Sequence, residues 1–230
     1  MKNYVVVGGS SGIGLAITKS LSEKGNNVYV VSRTAEELAG LDNVYHMEID
    51  ITKEVNLENL PDEVHGLAYC PGTINLKPFH RIKPEAFQED WEINVMGAIK
   101  VIQSAIKKLK AGEASIVLFS TVAAKLGMPF HASVAASKSA LEGLAKTIAA
   151  EYAPVLRCNV IAPSLTDTPL AERLLSTEQK RESSAERHPL KRVGTANDIA
   201  NMAVYLMSEE GSFITGQVLG VDGGMGSTKI

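Results

Sequence analysis

The segment Gly8-Gly9-Ser10-Ser11-Gly12-Ile13-Gly14 follows directly on an apolar, β-branched run, Tyr4-Val5-Val6-Val7, and precedes a helix-like stretch. Small residues at a strand-to-helix turn let the backbone approach a pyrophosphate closely. The helix N-terminus adds free N–H donors and a favourable dipole. A tight turn without ligand would use the same glycines, but this turn follows the first strand of an alternating chain, and that context points to a dinucleotide. The next strand-like run ends Val30-Val31-Ser32-Arg33-Thr34, with no carboxylate to hold a ribose 2′-hydroxyl. Arg33 can pair with a 2′-phosphate, and Ser32 and Thr34 can add hydrogen bonds, so NADP(H) is expected over NAD(H).

Such a turn needs a sheet to carry it. Short apolar runs that suit strands buried on both faces recur at Val28–Val31, Val44–Ile49, Leu67–Cys70, Ile116–Phe119, Val155–Ile161 and Val218–Val221. Helix-like stretches lie between them. Ile13–Lys24 places Ile13, Ile17 and Leu21 at helical spacing, and Ser133–Tyr152 does so with Leu141, Leu144, Ile148 and Tyr152. Pro84–Leu109 carries one broad stripe, from Phe87, Trp91 and Val95 through Ile99, Ile102 and Ile106 to Leu109. Thr195–Met207 opens with Thr195 and Asp198, an approximate capping box. This alternation predicts a single α/β domain over residues 1–230, a doubly wound parallel sheet of about seven strands with helices on both faces. The irregular stretch 164–192 reads as a helical excursion over the site, a lid, or as a solvated insertion. Its Arg173, Arg181 and Arg187 suit an anionic group or a solvated face.

Composition narrows the function classes. Lys plus Arg is 23 against 26 for Asp plus Glu, a net charge of −3, which removes the usual electrostatic case for a nucleic-acid partner. No apolar run approaches the roughly 18 residues of a membrane span. The cysteines, Cys70 and Cys158, lack a C-x-x-C spacing and the five histidines are scattered, so no metal site is expected. The first strand begins near the N-terminus, leaving no room for a signal peptide, and a cytoplasmic protein is expected.

The motifs in order resemble the short-chain dehydrogenase/reductase family over essentially the whole length. The glycine turn has that family's spacing. Asp50-Ile51 resembles its adenine-contacting pair, and Asn94, within Asn94-Val95-Met96-Gly97-Ala98, its helix asparagine. Ser120-Thr121 ends the fifth strand where the family places a catalytic serine, and Lys138 opens Lys138-Ser139-Ala140-Leu141. Asn159-Val160-Ile161-Ala162-Pro163 and Val221-Asp222-Gly223-Gly224 match later segments. Tyr69-Cys70-Pro71-Gly72 departs from the family's N-N-A-G and keeps only the glycine, with Cys70 a small hydrophobe beside the cofactor. Ala162-Pro163-Ser164-Leu165-Thr166-Asp167-Thr168 resembles P-G-x-x-x-T, which implies nicotinamide contacts from Ile161, Pro163, Thr166 and Thr168. The resemblance also implies a small carbonyl or alcohol substrate. It further implies a homodimer or homotetramer built on the two long helices and the last strand.

The family's proton donor is a tyrosine one helical turn before the lysine, where the ammonium lowers the phenol pKa. Here that position is Val134. Counting back thirteen residues from it reaches Thr121 rather than Ser120, so either hydroxyl is a candidate for binding the substrate oxygen. Three readings stay open. An oxidoreductase could use another donor, with His131 at the lip of the helix leading because histidine is the side chain ordinarily able to move a proton near neutrality, and Ser133 or a water relayed through Lys138 and Asn94 as further routes. The chain could instead bind nucleotide without chemistry, as a sensor or partner subunit. It could also reduce an activated double bond, where carbon is protonated. Asn94 is a poor residue for the middle of a helix and suits a local kink.

Overall fold

The computed structural model describes residues 1–228. Its strands are β1 Asn3–Val7, β2 Asn27–Ser32, β3 Val44–Glu48, β4 Gly66–Tyr69, β5 Ser115–Phe119, β6 Arg157–Pro163, β7 Thr166–Asp167, β8 Gly194–Thr195 and β9 Val218–Val221. The helices are α1 Gly12–Glu23, α2 Pro84–Trp91, α3 Gly97–Ala111, α4 Ala132–Tyr152, α5 Glu178–Glu186 and α6 Ala196–Met207. Seven strands form one parallel sheet in the order β3-β2-β1-β4-β5-β6-β9, and β7 and β8 pair separately.

The sheet is apolar on both faces because helices cover both. Ile17 and Leu21 of α1 and Ile199, Ala203 and Leu206 of α6 pack against Val6, Val30 and Val117. On the other face Val101, Ile102 and Leu109 of α3 and Leu141 and Ala145 of α4 pack against Val5, Leu67 and Ile116. Strand order reverses between β1 and β4, since β1 pairs with both β2 and β4. Ligands of open α/β sheets bind outside the carboxyl ends of the strands at such a reversal. Gly8 and Cys70, which leave Val7 and Tyr69 on those two strands, therefore face one crevice.

Two elements differ from their sequence reading. The passage from α4 to β6 is longer, since β6 begins at Arg157 rather than Val155, which is 38% exposed. The stripe from Phe87 to Leu109 is not one helix. A π-turn, Glu92–Met96, separates α2 from α3. Its extra residue turns the preceding helix about its axis, so Trp91 faces outward at 46% exposure and Asp90 is fully buried. The α6 start keeps both halves of the capping box between Thr195 and Asp198.

Candidate functional site

A crevice of about 490 Å³ opens at the reversal, within the range of ligand pockets. Gly8, Ser10, Ser11, Gly12, Ile13 and Gly14 form one wall; Ser32, Arg33, Asp50 and Ile51 form its far end; Cys70 and Gly72 lie opposite, and Thr168 closes over Gly12. Ser11, the N-cap of α1, has extended backbone and makes no side-chain cap bond, so the first-turn N–H groups remain for an anion. Gly14 is required by close approach: a Cβ there would stand 2.1 Å from the Gly8 carbonyl oxygen.

At the far end the Ser32 hydroxyl donates to the Thr34 carbonyl at 2.7 Å and meets His46 Nε2 at 3.0 Å, so it is committed within the loop. Arg33 is exposed and has no ion-pair partner among the described residues. Asp50 accepts from the Thr52 hydroxyl at 2.7 Å and the Thr52 N–H at 3.0 Å, and these bonds hold its carboxyl below the ordinary range.

The inner end gathers Lys138, Asn94, Gly72 and Cys70. A Cβ built on Gly72 would lie 3.2 Å from Lys138 Nζ and 3.4 Å from Asn94 Oδ1, so these two polar atoms flank one small volume. Asn94 Nδ2 donates to Thr73 Oγ1 at 3.1 Å, the Asp90 carbonyl at 2.8 Å and Ser137 Oγ at 3.1 Å. Its Oδ1 is the one buried side-chain polar atom without a partner among the described residues. Burial lowers the Lys138 pKa to about 8, opposed by Cys70 and Asp90. Burial pushes the Cys70 thiol up to about 12, with the Lys138 charge opposing.

Asp90 was missed in the sequence. It sits four residues before Asn94, on the same helix face, and that spacing was the available signal. Its carboxylate accepts from Thr73 Oγ1 at 2.5 Å, from Asn75 Nδ2 at 2.7 Å and from the Ser133 hydroxyl. One continuous polar network thus runs from Ser133 on α4 through Asp90 and Thr73 to Asn94.

The other candidates are placed less uniformly. The Ser120 hydroxyl is buried, donates to Glu142 of α4 at 2.7 Å and lies 3.4 Å from the Lys138 carbonyl. Thr121 is partly exposed and its Oγ1 accepts only from Ala123 N–H at 3.3 Å, so its hydroxyl proton is free. His131 Nδ1 donates to the Pro129 carbonyl at 2.7 Å. Its position seven residues before Lys138 sets it about 10 Å down the α4 axis, which separates it from the ammonium. Ile161 lies mid-sheet, registered between Phe119 and Leu219, and its carbonyl accepts the Ser120 N–H at 2.8 Å, so it does not line the crevice. Pro163 ends β6 and Thr166 is buried in the β7–β8 ladder. Val134 is buried. Of the three arginines within residues 164–192 singled out above, Arg181 is paired with Asp167 at 2.7 Å and Arg187 bonds Ser184. His188, unremarked in the sequence, is 1% exposed: Nδ1 donates to the Ser184 carbonyl and Nε2 accepts from Ser164 Oγ, both at 2.8 Å.

No helix among the described residues is long and apolar enough to cross a membrane. The family model described as enoyl-(acyl carrier protein) reductase matches residues 7–226. A tropinone reductase homolog of Arabidopsis thaliana is 33% identical over 97% of this chain and 92% of its own. A 3-oxoacyl-[acyl-carrier-protein] reductase of Thermotoga maritima is 32% identical over 97% of each chain. The ligand-free structure of Thermoplasma acidophilum aldohexose dehydrogenase superposes with a TM-score of 0.88 at 28% identity, covering 99% of this chain and 95% of that one. A parallel sheet reversing at β1 and β4, a glycine turn over the crevice, and these full-length likenesses agree: the chain belongs to the short-chain dehydrogenase/reductase family of oxidoreductases.

Proposed function

We propose that the protein reduces a small carbonyl substrate, or oxidises the corresponding alcohol, with NADP(H). The carrying observation is the continuous crevice from the glycine turn to Lys138 at Gly72, with Arg33 unpaired at its far end. The residues present fit a dinucleotide: free N–H groups and glycines for the pyrophosphate, Asp50 and Ile51 for the adenine end, and Lys138 with Thr168 for the nicotinamide end. The bound nicotinamide supplies the hydride chemistry. The chain's own task is to hold the substrate oxygen, for which Thr121 has a free hydroxyl proton, and to move one proton. The usual tyrosine is absent, so the donor is atypical. The outer faces of α2 and α4, where Trp91 is exposed, suit a homo-oligomer.

Arg33→Ala is expected to weaken NADPH binding about 10- to 100-fold, the range for losing one or two charge-assisted hydrogen bonds. NADH binding should stay within about threefold. Nicotinamide fluorescence titration checks this, and a wild type that binds NADH as tightly as NADPH removes the assignment.

A second reading, nucleotide binding without turnover, is favoured by buried Val134. Tight NADPH binding with no oxidation of it by any aldehyde, ketone, quinone or enone, and turnover gained in Val134→Tyr, would establish that reading instead.

A further inference from the structure

Resting on the reductase reading above, we propose that Lys138 is itself the proton donor of the reduction, with Asp90 a positioning residue that supplies its buried counter-charge. Three observations carry this. Lys138 is 7% exposed, and its Nζ has no hydrogen-bond partner among the described residues, so its protons are not committed to the fold. The volume its Nζ shares with Asn94 Oδ1 opens at Gly72 into the crevice, where the substrate oxygen must come to meet a hydride. And the helix face one turn before it carries Val134, so no phenol stands between the ammonium and that oxygen.

The groups facing Lys138 are few. From the end of β4 comes the Cys70 thiol, and from α2 the Asp90 carboxylate. On α4 itself the next turn carries Glu142, which is bonded to Ser120. Asn94 and Thr73 are neutral. An ammonium in so dry a place would lose its proton outright without an opposing charge. Asp90 provides one, fixed by Thr73, Asn75 and Ser133. Burial lowers the amine's pKa, Cys70 and then Asp90 oppose it, and the balance stands at about 8, close to what a general acid at neutral pH requires.

The step balances. As the carbonyl carbon gains hydride, the C=O π pair moves to oxygen. An Nζ–H bond breaks with its electrons staying on nitrogen, and the proton forms the O–H bond. The products are an alcohol, oxidised nicotinamide and a neutral amine, which takes a proton back from solvent.

The test has one arm without turnover. Protein grown on [ε-13C]lysine is titrated by NMR, the Lys138 resonance being the one missing in Lys138→Arg. Its midpoint is expected near 8 in wild type and lower in Asp90→Asn. The second arm uses NADPH with an activated ketone and ortho-quinone panel. The kcat of wild type is expected to fall as pH rises through about 8, and this limb should move to lower pH in Asp90→Asn. Lys138→Arg keeps a cation but cannot release its proton near neutrality. It is expected to lose about 10²- to 10⁴-fold in kcat and the pH limb, with a much smaller change in KM for NADPH. A Lys138 amine that titrates near its ordinary value, or a Lys138→Arg enzyme with wild-type kcat, overturns the proposal alone. A wild type that binds NADPH and reduces nothing overturns the reductase reading and the proposal together. Absence of binding by either nicotinamide cofactor overturns the functional reading and the proposal with it.

Discussion

Lys138→Met is expected to melt higher than wild type at pH 7. The amine titrates at about 8 in the fold against an ordinary 10.5, and that gap corresponds to about 3 kcal/mol of burial cost. Below pH 8 both folded and unfolded chains hold the proton, and the cost stands in full. Between about 8 and 10.5 the folded chain has released it while the unfolded chain keeps it, so unfolding takes up a proton and stability rises with pH. Above 10.5 the cost is gone. Methionine fills a similar volume without charge, and Asp90 keeps its three donors, so the gain at pH 7 is about 6–12 °C in Tm for a chain of this size. It should shrink towards zero by pH 10.5. Thermal melts at the two pH values read this directly; a variant that melts at or below wild type at pH 7 refutes it. The same variant should lose cofactor affinity, so the site keeps its lysine at the expense of stability.

Asp90→Ala is expected to act in the opposite direction. It leaves Thr73 Oγ and Asn75 Nδ2 without their acceptor, and the Ser133 hydroxyl with only the Ala86 carbonyl, in a place that water reaches poorly, and strands the Lys138 ammonium. Breaking one side of such a buried network costs about 3–5 kcal/mol, or at least about 6 °C in Tm. Asp90→Asn retains one acceptor oxygen and should lose about half as much. Urea unfolding of both variants measures this, and an alanine variant within 1 kcal/mol of wild type would mean that the network relaxes or is hydrated.

The sheet and the glycine turn were legible because they depend on local patterns: apolar runs at regular intervals, and glycines between a strand and a helix. Asp50, Gly72 and Lys138 could be placed at one crevice because the strand reversal puts the ends of β1 and β4 side by side. The inner network was not legible, for a definite reason. Counting helical periods back from Val95 assigns Trp91 to the core, and the π-turn at Glu92–Met96 voids that count. Ser120 and Thr121 were inseparable because adjacent residues at a strand end point to opposite sides, and only the position of Glu142 on α4 shows which hydroxyl donates to it. The His188–Ser164 bond joins residues 24 apart, and no periodicity relates them.

The π-turn bears on which changes in chain length this lineage can tolerate. Each residue of a helix advances it by about 100°. Loss of Glu92 alone would restore a regular helix, swing the Asp90 carboxylate towards solvent and carry Trp91 inward, while every residue of the crevice stayed in the gene. Homologues shortened by one codon there would retain each recognisable motif and still be unable to assemble the acid.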